Sequence, residues 1–270
     1  MTPDRFAANL DAIQRRTDEL TSAAGARSDD DLALPSALEG WSRLTILCHL
    51  RYGATMTARM TRATVNRQPT AFYPEGRELQ RPQTLRPAPG ESARQVIASL
   101  AEQSGQLAYV WAGIWEDEWD RPVLDGNDGV RLPRMALTIG DLALLRFTEV
   151  EVHGTDLGIG LCDWSTEFVE VTLPRRVAWL GRRTAPHLSA AVDLPMTWLL
   201  ASTDGPSYSV RIGQEGETTT EIAPFAATAQ HRIEGSSREL LATILGRRAA
   251  RDRDADDAAI SSFRQTFPGP

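Results

Sequence analysis

The chain contains 270 residues, of which 41% are hydrophobic, and it carries a formal net charge of −7 with a pI near 5.2. This length favours two packed units, and the acidic balance argues against nucleic acid or an anionic membrane surface as the main partner. All 29 basic residues are arginine, which excludes a lysine Schiff base and a P-loop lysine.

The N-terminal half has the pattern of an up-down four-helix bundle. Apolar residues recur at helical spacing over about residues 2–24, 42–67, 92–116 and 134–157, and a polar connection at 29–34 forms at most one turn. Bundle cores commonly contain metal sites between facing helices. The pattern therefore directs attention to polar residues on the inner faces of these helices.

A long connection separates the second and third predicted helices. Residues 69–90 include Pro74, Pro82, Pro87 and Pro89, so we expect an irregular segment. Loops of this length inside compact domains are often functional or disordered. A second group of turn or hairpin residues, 119–129, precedes the fourth helix.

After residue 160 the pattern changes to that of a small α+β domain with an antiparallel sheet. Its predicted elements are helices at 166–183, 236–246 and 255–263 and strands at 196–203, 208–212, 218–222 and 226–233. Turn residues at 204–206 and 214–217 favour hairpins between the first three strands. We expect residues 1–160 to form the bundle and residues 161–270 to form the α+β domain.

Hydropathy and cysteine usage indicate a cytoplasmic protein. No apolar run reaches the length that spans a bilayer, and the N-terminal residues lack the apolar core of a signal peptide. Cys48 and Cys162 have neither disulfide nor zinc-ribbon spacing. We therefore expect no membrane association.

Two separated motifs together predict a metal site. The first, residues 40–50, contains His49, and the second, residues 146–157, contains Glu149 and His153. At i and i+4 of a helix, Glu149 and His153 project from the same face, one turn apart. A carboxylate and an imidazole from one helix, with an imidazole from another, make the three-ligand set of an open zinc site. If they meet, the protein is a metalloenzyme.

The apolar character of the fourth helix favours this interpretation over a solvated surface pair. Among leucine and valine side chains, Glu149 and His153 would need a partner, and a divalent cation is such a partner. Arg146 and Asp156 fall on the same stripe and are predicted to orient the ligands from behind. A salt bridge from Arg146 to Glu149 is the alternative.

Other candidates near these motifs are set aside. Glu151 lies about 200° around the helix from the first glutamate of the motif, so the two cannot serve one site. Cys48 points about 100° away from the adjacent histidine and is interpreted as a small buried apolar side chain. His187 and His231 are interpreted as surface or hydrogen-bonding residues.

Both motifs resemble those of the mycothiol-dependent maleylpyruvate isomerase family. The similarity includes Gly40-Trp41 and the run from Arg146 to Leu157, and it extends to 119–122 and 245–247. It covers essentially the whole chain. It implies a DinB-like up-down four-helix bundle followed by a sterol-carrier-like α+β domain.

Carried over residue by residue, the resemblance implies that His49, Glu149 and His153 bind zinc. The fourth position of the ion is then open to water or to the sulfur of mycothiol. Related bundle enzymes use bacillithiol or glutathione, whereas an arginine-only composition is typical of a high-GC, actinobacterial genome and favours mycothiol.

The resemblance also implies one arginine in the long connection and one in the C-terminal domain that hold anionic groups. Arg77 is the expected residue of the connection, with Arg81 and Arg86 as alternatives. Arg247 is the expected residue of the C-terminal domain, with Arg248 as its alternative. Each of these arginines has an alternative interpretation as a solvated charge.

The implied function is that of a zinc- and mycothiol-dependent transferase or isomerase, acting as a monomer or homodimer. Metal-activated mycothiol would attack an electrophilic small molecule, either for S-conjugation or thiol exchange in natural-product biosynthesis or detoxification, or for cis-trans isomerisation. Two other hypotheses remain open: a non-catalytic, metal-stabilised binding module and a hydrolase that uses zinc-bound water.

Overall fold

The structure, a computed structural model, describes residues 3–124, 137–181, 194–224, 227–247 and 258–267. The chain divides into two compact units, Met1–Phe168 and Val169–Pro270. The predicted architecture, a four-helix bundle followed by a small α+β domain, is confirmed.

The first unit is built from four long helices. They are α1 (Pro3–Gly25), α3 (Arg43–Val65), α5 (Ala93–Ala112) and α6 (Ile139–Asp156), with two short helices, α2 (Asp29–Ala33) and α4 (Arg77–Thr84), in the connections. α3 packs on α5, α5 on α1, α1 on α6 and α6 on α3, so the four long helices close a ring. Facing helices in such a ring bring side chains from different parts of the sequence together in the core.

Side-chain caps fix where the helices of the site begin. The Ser42 hydroxyl accepts a hydrogen bond from the Thr45 N–H at the start of α3. Thr138 and Asp141 form a reciprocal capping box at the start of α6. α6 is buried over most of its circumference, and polar residues are therefore enclosed along with the apolar ones. This burial places the polar residues of α6 in contact with neighbouring helices.

The second unit contains a four-stranded sheet with the strand order β3-β2-β1-β4. Its strands are β1 (Met196–Ser202), β2 (Tyr208–Ile212), β3 (Thr218–Ile222) and β4 (His231–Gly235), and its helices are α7 (Thr166–Leu180), which begins in the first unit, α8 (Ser237–Ile244) and α9 (Ala258–Thr266). Trp198 of β1 is fully buried and packs edge-on against Phe263 and Phe267. His231 stacks on the same indole, at 5.6 Å between ring centroids.

The sheet differs from the expectation in one pairing. β1–β2 and β2–β3 are antiparallel, as predicted, but β4 pairs with β1 in parallel. The two hairpins are local and follow from their turn residues, whereas β4 reaches the far side of β1 through a crossover. The predicted antiparallel pairing therefore holds for the two hairpins, and the pairing of β4 with β1 is the exception.

The long connection also differs from the expectation. Residues 69–90 are not irregular throughout, since Arg77–Thr84 form the two-turn helix α4 with Pro82 inside it. A proline removes only one backbone donor, and a helix this short tolerates the loss when side chains hold it in place. In α4, Arg77 lies over the ring of Tyr73 and Arg81 lies over the ring of Trp41.

Several predictions lie outside the described residues. They are the turns at 125–129, the helix start at 134, the helix end at 183, the strand start at 226, the helix start at 255, and the roles of His187 and Arg248. Among the helices that the structure does describe, none has the length and apolarity needed to cross a bilayer.

Candidate metal centre

The three predicted ligands come together in the first unit. His49 projects from α3, and Glu149 and His153 project from α6, with one potential ligand atom of each within 4.8 Å of the others. Nε2 of His49 lies 2.7 Å from Oε2 of Glu149, and Nε2 of His153 lies 3.3 Å from the same oxygen. Two imidazole nitrogens and a carboxylate oxygen therefore converge from two helices.

The neighbours of His49 on α3 explain its orientation. Leu47, Cys48 and Leu50 are all buried in the bundle, which leaves the His49 side of the helix turned towards α6. Burial raises the pKa of the Cys48 thiol to about 11, so this residue stays a protonated thiol at neutral pH. Cys48 is thus a buried side chain next to the cluster, in agreement with its sequence-based interpretation.

Asp156 orients the second imidazole. Its Oδ2 atom lies 2.9 Å from Nδ1 of His153, and its side chain is buried. When Nδ1 donates to this carboxylate, Nε2 is left free to face Glu149 and to act as a ligand. Asp156 therefore contacts His153, and its role behind a metal ligand stays a prediction.

The charges of the cluster shift the pKa values of Glu149 and His153 in opposite directions. Desolvation disfavours the charged carboxylate, but hydrogen bonds from His153 and His49 outweigh it and hold the pKa of Glu149 well below its ordinary value. Desolvation also opposes the imidazolium, yet the two flanking carboxylates, those of Asp156 and Glu149, raise the pKa of His153 to about 9. The carboxylates of Asp156 and Glu149 thus stabilise a positive charge at His153, and a bound metal cation would supply a positive charge at the same place.

The donor set fits a divalent ion such as zinc. Two neutral imidazoles and one carboxylate are a common ligand combination for zinc in enzymes. The Glu149 side chain is 38% exposed, while those of His49 and His153 are 18% and 12% exposed. Since the ligands are only partly enclosed, the cluster resembles an open site more than a closed structural one.

Arg146 lies behind the cluster and contacts α3 and α5. Its guanidinium is almost fully buried and donates to the Leu50 carbonyl oxygen at 2.8 Å and to the Ser104 hydroxyl at 3.1 Å. Burial lowers the pKa of Arg146 to about 10, although the nearby Glu149 raises it. Arg146 is thus bonded to the backbone beside His49, and it contributes a buried positive charge near the carboxylate.

Glu151 faces away from the cluster. Its carboxylate forms an ion pair with Nε of Arg16 at 3.2 Å and accepts hydrogen bonds from the hydroxyl and backbone N–H of Ser165. This is the outcome expected from the helix geometry, which separated Glu151 from the ligand stripe.

The arginines of the long connection differ in what they contact. The Arg81 guanidinium lies over the Trp41 ring, 5.6 Å from its centroid, and hydrogen-bonds to the Tyr73 hydroxyl. Arg77, the expected residue, is exposed and lies 5.9 Å from the centroid of Tyr73. Arg86 is exposed as well. Of these three arginines, Arg81 contacts Trp41, whose ring lies against both imidazoles, whereas Arg77 contacts Tyr73.

Arg247 belongs to the second unit and lies just after α8. Its backbone carbonyl accepts a hydrogen bond from Arg264 at 2.7 Å, and its own side chain reaches the Leu245 carbonyl at 3.5 Å. These contacts are consistent with a structural role within the second unit. The role of Arg247 in binding an anionic group stays a prediction.

Two aromatic residues of the site were not identified from the sequence as functional. Trp41 contacts both imidazoles, and Tyr73 is buried and hydrogen-bonds to Arg81. Trp41 was part of the motif that carries the family resemblance, but spacing alone gives a residue in a loop no defined position. The sequence pattern around Tyr73 was less informative than that around Trp41, because Tyr73 falls in the connection that was expected to be irregular.

Comparison with known proteins gives a family and a fold. Residues 13–158 match the sequence model of the family described as "Mycothiol maleylpyruvate isomerase N-terminal domain". A crystal structure of the mycothiol-dependent maleylpyruvate isomerase is similar with a TM-score of 0.64 at 16% identity, covering 90% of this chain and 89% of that one. A histidine-to-alanine variant of that enzyme gives a TM-score of 0.64 at 15% identity, covering 89% of each chain. No curated protein sequence matches the chain significantly.

Proposed function

Because this chain belongs to the mycothiol maleylpyruvate isomerase family, as its motifs predicted, we propose that it is a zinc enzyme that uses mycothiol as its thiol cosubstrate. The observation that carries this proposal is the convergence of two imidazoles and a carboxylate in a partly exposed cluster. The reaction is an isomerisation or a thiol transfer on a small electrophilic molecule.

In this proposal His49, Glu149 and His153 hold the ion. A zinc ion bound there stabilises a thiolate over the corresponding thiol at neutral pH. Asp156 keeps His153 in the tautomer that presents Nε2, and the bundle fixes the separation of α3 and α6. The ligands are thus oriented before the ion arrives.

The charges around the cluster favour an anionic fourth ligand. With neutral imidazoles, a divalent ion is offset by the carboxylates of Glu149 and Asp156, while Arg146 adds one buried positive charge. One net positive charge remains, and a thiolate neutralises it. A neutral ligand would leave the charge uncompensated in a partly desolvated site, which costs free energy.

The electrophile is proposed to be anionic and to approach from the side of α4. Arg81 is the best-placed residue to bind its charged group, because its guanidinium already lies beside the rings that contact the ligands. Arg77 is close enough along α4 to assist. A contribution of Arg247 and of residues 161–270 to substrate binding is part of the same proposal.

One site supports both reaction outcomes. Addition of the thiolate sulfur to a conjugated double bond leaves a single bond about which the substrate can rotate, and loss of the sulfur then gives the other isomer. Displacement of a leaving group by the same sulfur gives an S-conjugate. The acceptor decides between these outcomes.

Zinc content and mycothiol binding test this function. We expect the wild-type protein to retain zinc by elemental analysis, His153→Ala to lose it, and His231→Ala, whose histidine stacks on Trp198 in the second unit, to retain it. Calorimetry should show mycothiol binding to the zinc-loaded protein and not to the chelator-treated protein. Unchanged zinc in His153→Ala would contradict the site, and equal mycothiol binding to both forms would contradict thiolate coordination.

A further inference from the structure

The indole of Trp41 contacts both histidines of the candidate metal centre. It lies nearly parallel to the His153 ring, with 6.1 Å between centroids and 16° between planes. It meets the His49 ring edge-on, at 5.3 Å and 78°. Both distances fall in the range in which aromatic rings attract one another in defined orientations. One side chain therefore constrains two imidazoles that come from different helices.

The same indole also contacts the long connection. The Arg81 guanidinium lies over its ring at 5.6 Å, within the range of a cation–π interaction. Arg81 is in turn hydrogen-bonded to Tyr73, which stacks on Tyr52 of α3 at 5.4 Å. Trp41 is thus the residue through which α4 contacts the histidine ligands.

The backbone around Trp41 holds the ring in place. Its N–H donates to the Leu38 carbonyl, and its carbonyl accepts from both the N–H and the hydroxyl of Ser36. Gly40, just before it, has a φ of +77°, a conformation that side chains other than glycine rarely adopt. These hydrogen bonds fix the backbone from which the indole projects, and the positive φ of Gly40 allows the turn that precedes it.

Trp41 is only half-buried, which argues against a role confined to filling the core. Fully buried residues of α3 and α6, such as Ile46, Phe147 and Val150, belong to the core of the first unit. A partly exposed indole that touches two potential ligands and one arginine has contacts suited to orientation.

We propose that Trp41 is a positioning residue that orients His49 and His153 for the metal ion and couples this centre to Arg81. The inference rests on the proposed zinc site and adds a residue to it. When an anion binds Arg81, the guanidinium exchanges part of its contact with the indole for the anion. Trp41 therefore influences both zinc affinity and the affinity for anionic substrate.

Zinc affinity is the first test. Residues behind a metal ligand typically contribute 10- to 100-fold to affinity, so we expect Trp41→Leu to weaken zinc binding about 10-fold. Trp41→Phe keeps an aromatic ring and should recover most of this loss. Trp115→Leu is the matched control, because Trp115 lies in the same unit and is 76% exposed. Affinities equal to wild type in a folded Trp41→Leu protein would overturn the proposal.

Cobalt quenching gives a spectroscopic test that does not depend on the leucine variant. Co²⁺ bound beside an indole quenches its fluorescence strongly at this short range. The chain contains 7 tryptophans, so the difference between wild type and Trp41→Phe isolates the signal of Trp41. We expect saturating Co²⁺ to quench a component that Trp41→Phe lacks. Identical quenching in the two proteins would show that the indole is not at the metal centre.

A double-substitution cycle tests the coupling to α4. Loss of an exposed cation–π contact changes an equilibrium by about three-fold. We expect Arg81→Gln to weaken zinc binding by about this factor in wild type and to have no further effect in Trp41→Leu. Additive effects would overturn the coupling. A wild-type protein that binds neither zinc nor Co²⁺ would overturn the proposed function, whereas wild-type binding with unaffected Trp41 variants would overturn only the role of Trp41.

Discussion

The two faces of α6 carry two glutamates that lie two residues apart and have opposite surroundings. Glu149 is 38% exposed and is hydrogen-bonded by two imidazoles, which hold its pKa well below the ordinary value. Glu151 is fully buried against Arg16 and Ser165, and burial raises its pKa despite these partners. The same residue type on the same helix is thus poised to bind a cation on one face and to join helices on the other.

The two glutamates differ in their exposure to solvent and in the side chains that they contact. The imidazole nitrogens around Glu149 are candidate metal ligands, and the Glu149 side chain is partly exposed. The Arg16 guanidinium beside Glu151 is instead a cation of the protein itself, and its ion pair joins α1 to α6. Glu149 therefore belongs to the candidate active site, and Glu151 to the framework that holds α6 against α1 and the segment before α7.

Substitution of each glutamate by glutamine gives the largest expected contrast. Glu149→Gln replaces a charged ligand by a weak neutral one, so zinc affinity should fall by more than about 100-fold, beyond what residues behind a ligand contribute. Glu151→Gln should change zinc affinity by less than about three-fold. Calorimetric titration of both variants with zinc measures the contrast. A comparable loss in both would show that the two faces of α6 do not act separately.

Breaking the framework pair should affect stability and leave metal binding intact. Arg16→Met leaves the buried Glu151 carboxylate without its cation, which typically costs about 3 kcal/mol of unfolding free energy. Arg15→Met is the matched control, because the adjacent Arg15 forms an exposed ion pair with Glu167, and such pairs contribute less than about 1 kcal/mol. Urea titration measures both variants.

The zinc content of the folded Arg16→Met protein should equal that of wild type. If the variant loses zinc while its stability is unchanged, Arg16 and Glu151 would have to be reassigned to the metal centre. If neither property changes, the ion pair contributes nothing to the framework.

The convergence of His49, Glu149 and His153 could be predicted in part from the sequence because helix geometry is local. The i, i+4 spacing places Glu149 and His153 on one face, and the same angles exclude Glu151. The pairing of His49 with this face was a hypothesis about packing, and the structure brings the three together. Burial of the neighbours of His49 on α3 is the physical reason.

Features that depend on contacts between distant segments could not be predicted in the same way. α4 forms in a proline-containing connection whose arginines lie against Trp41 and Tyr73, and no local pattern shows these contacts. The partners of Arg146 are on α3 and α5 and are likewise set by packing. The parallel pairing of β4 with β1 follows from a crossover, whereas the hairpins follow from their turns.

The smallest expected effect is a pH dependence that belongs only to the Glu149 face. The two flanking carboxylates raise the pKa of His153 to about 9 in the metal-free form, so zinc must displace a proton there at neutral pH. Zinc affinity should therefore rise with pH, by less than about 10-fold per unit for one displaced proton, and level off near pH 9.

The stability of the metal-free fold has the opposite trend. The raised pKa contributes stability that is complete below the unfolded value of about 6.5 and is lost as the pH rises towards 9. Asp156→Asn removes one of the two carboxylates and should move both transitions to lower pH, whereas Glu151→Gln should leave both in place. Zinc titrations and thermal unfolding between pH 6 and 9 measure these trends, and a zinc affinity that does not vary with pH in wild type would show that His153 does not bind the ion.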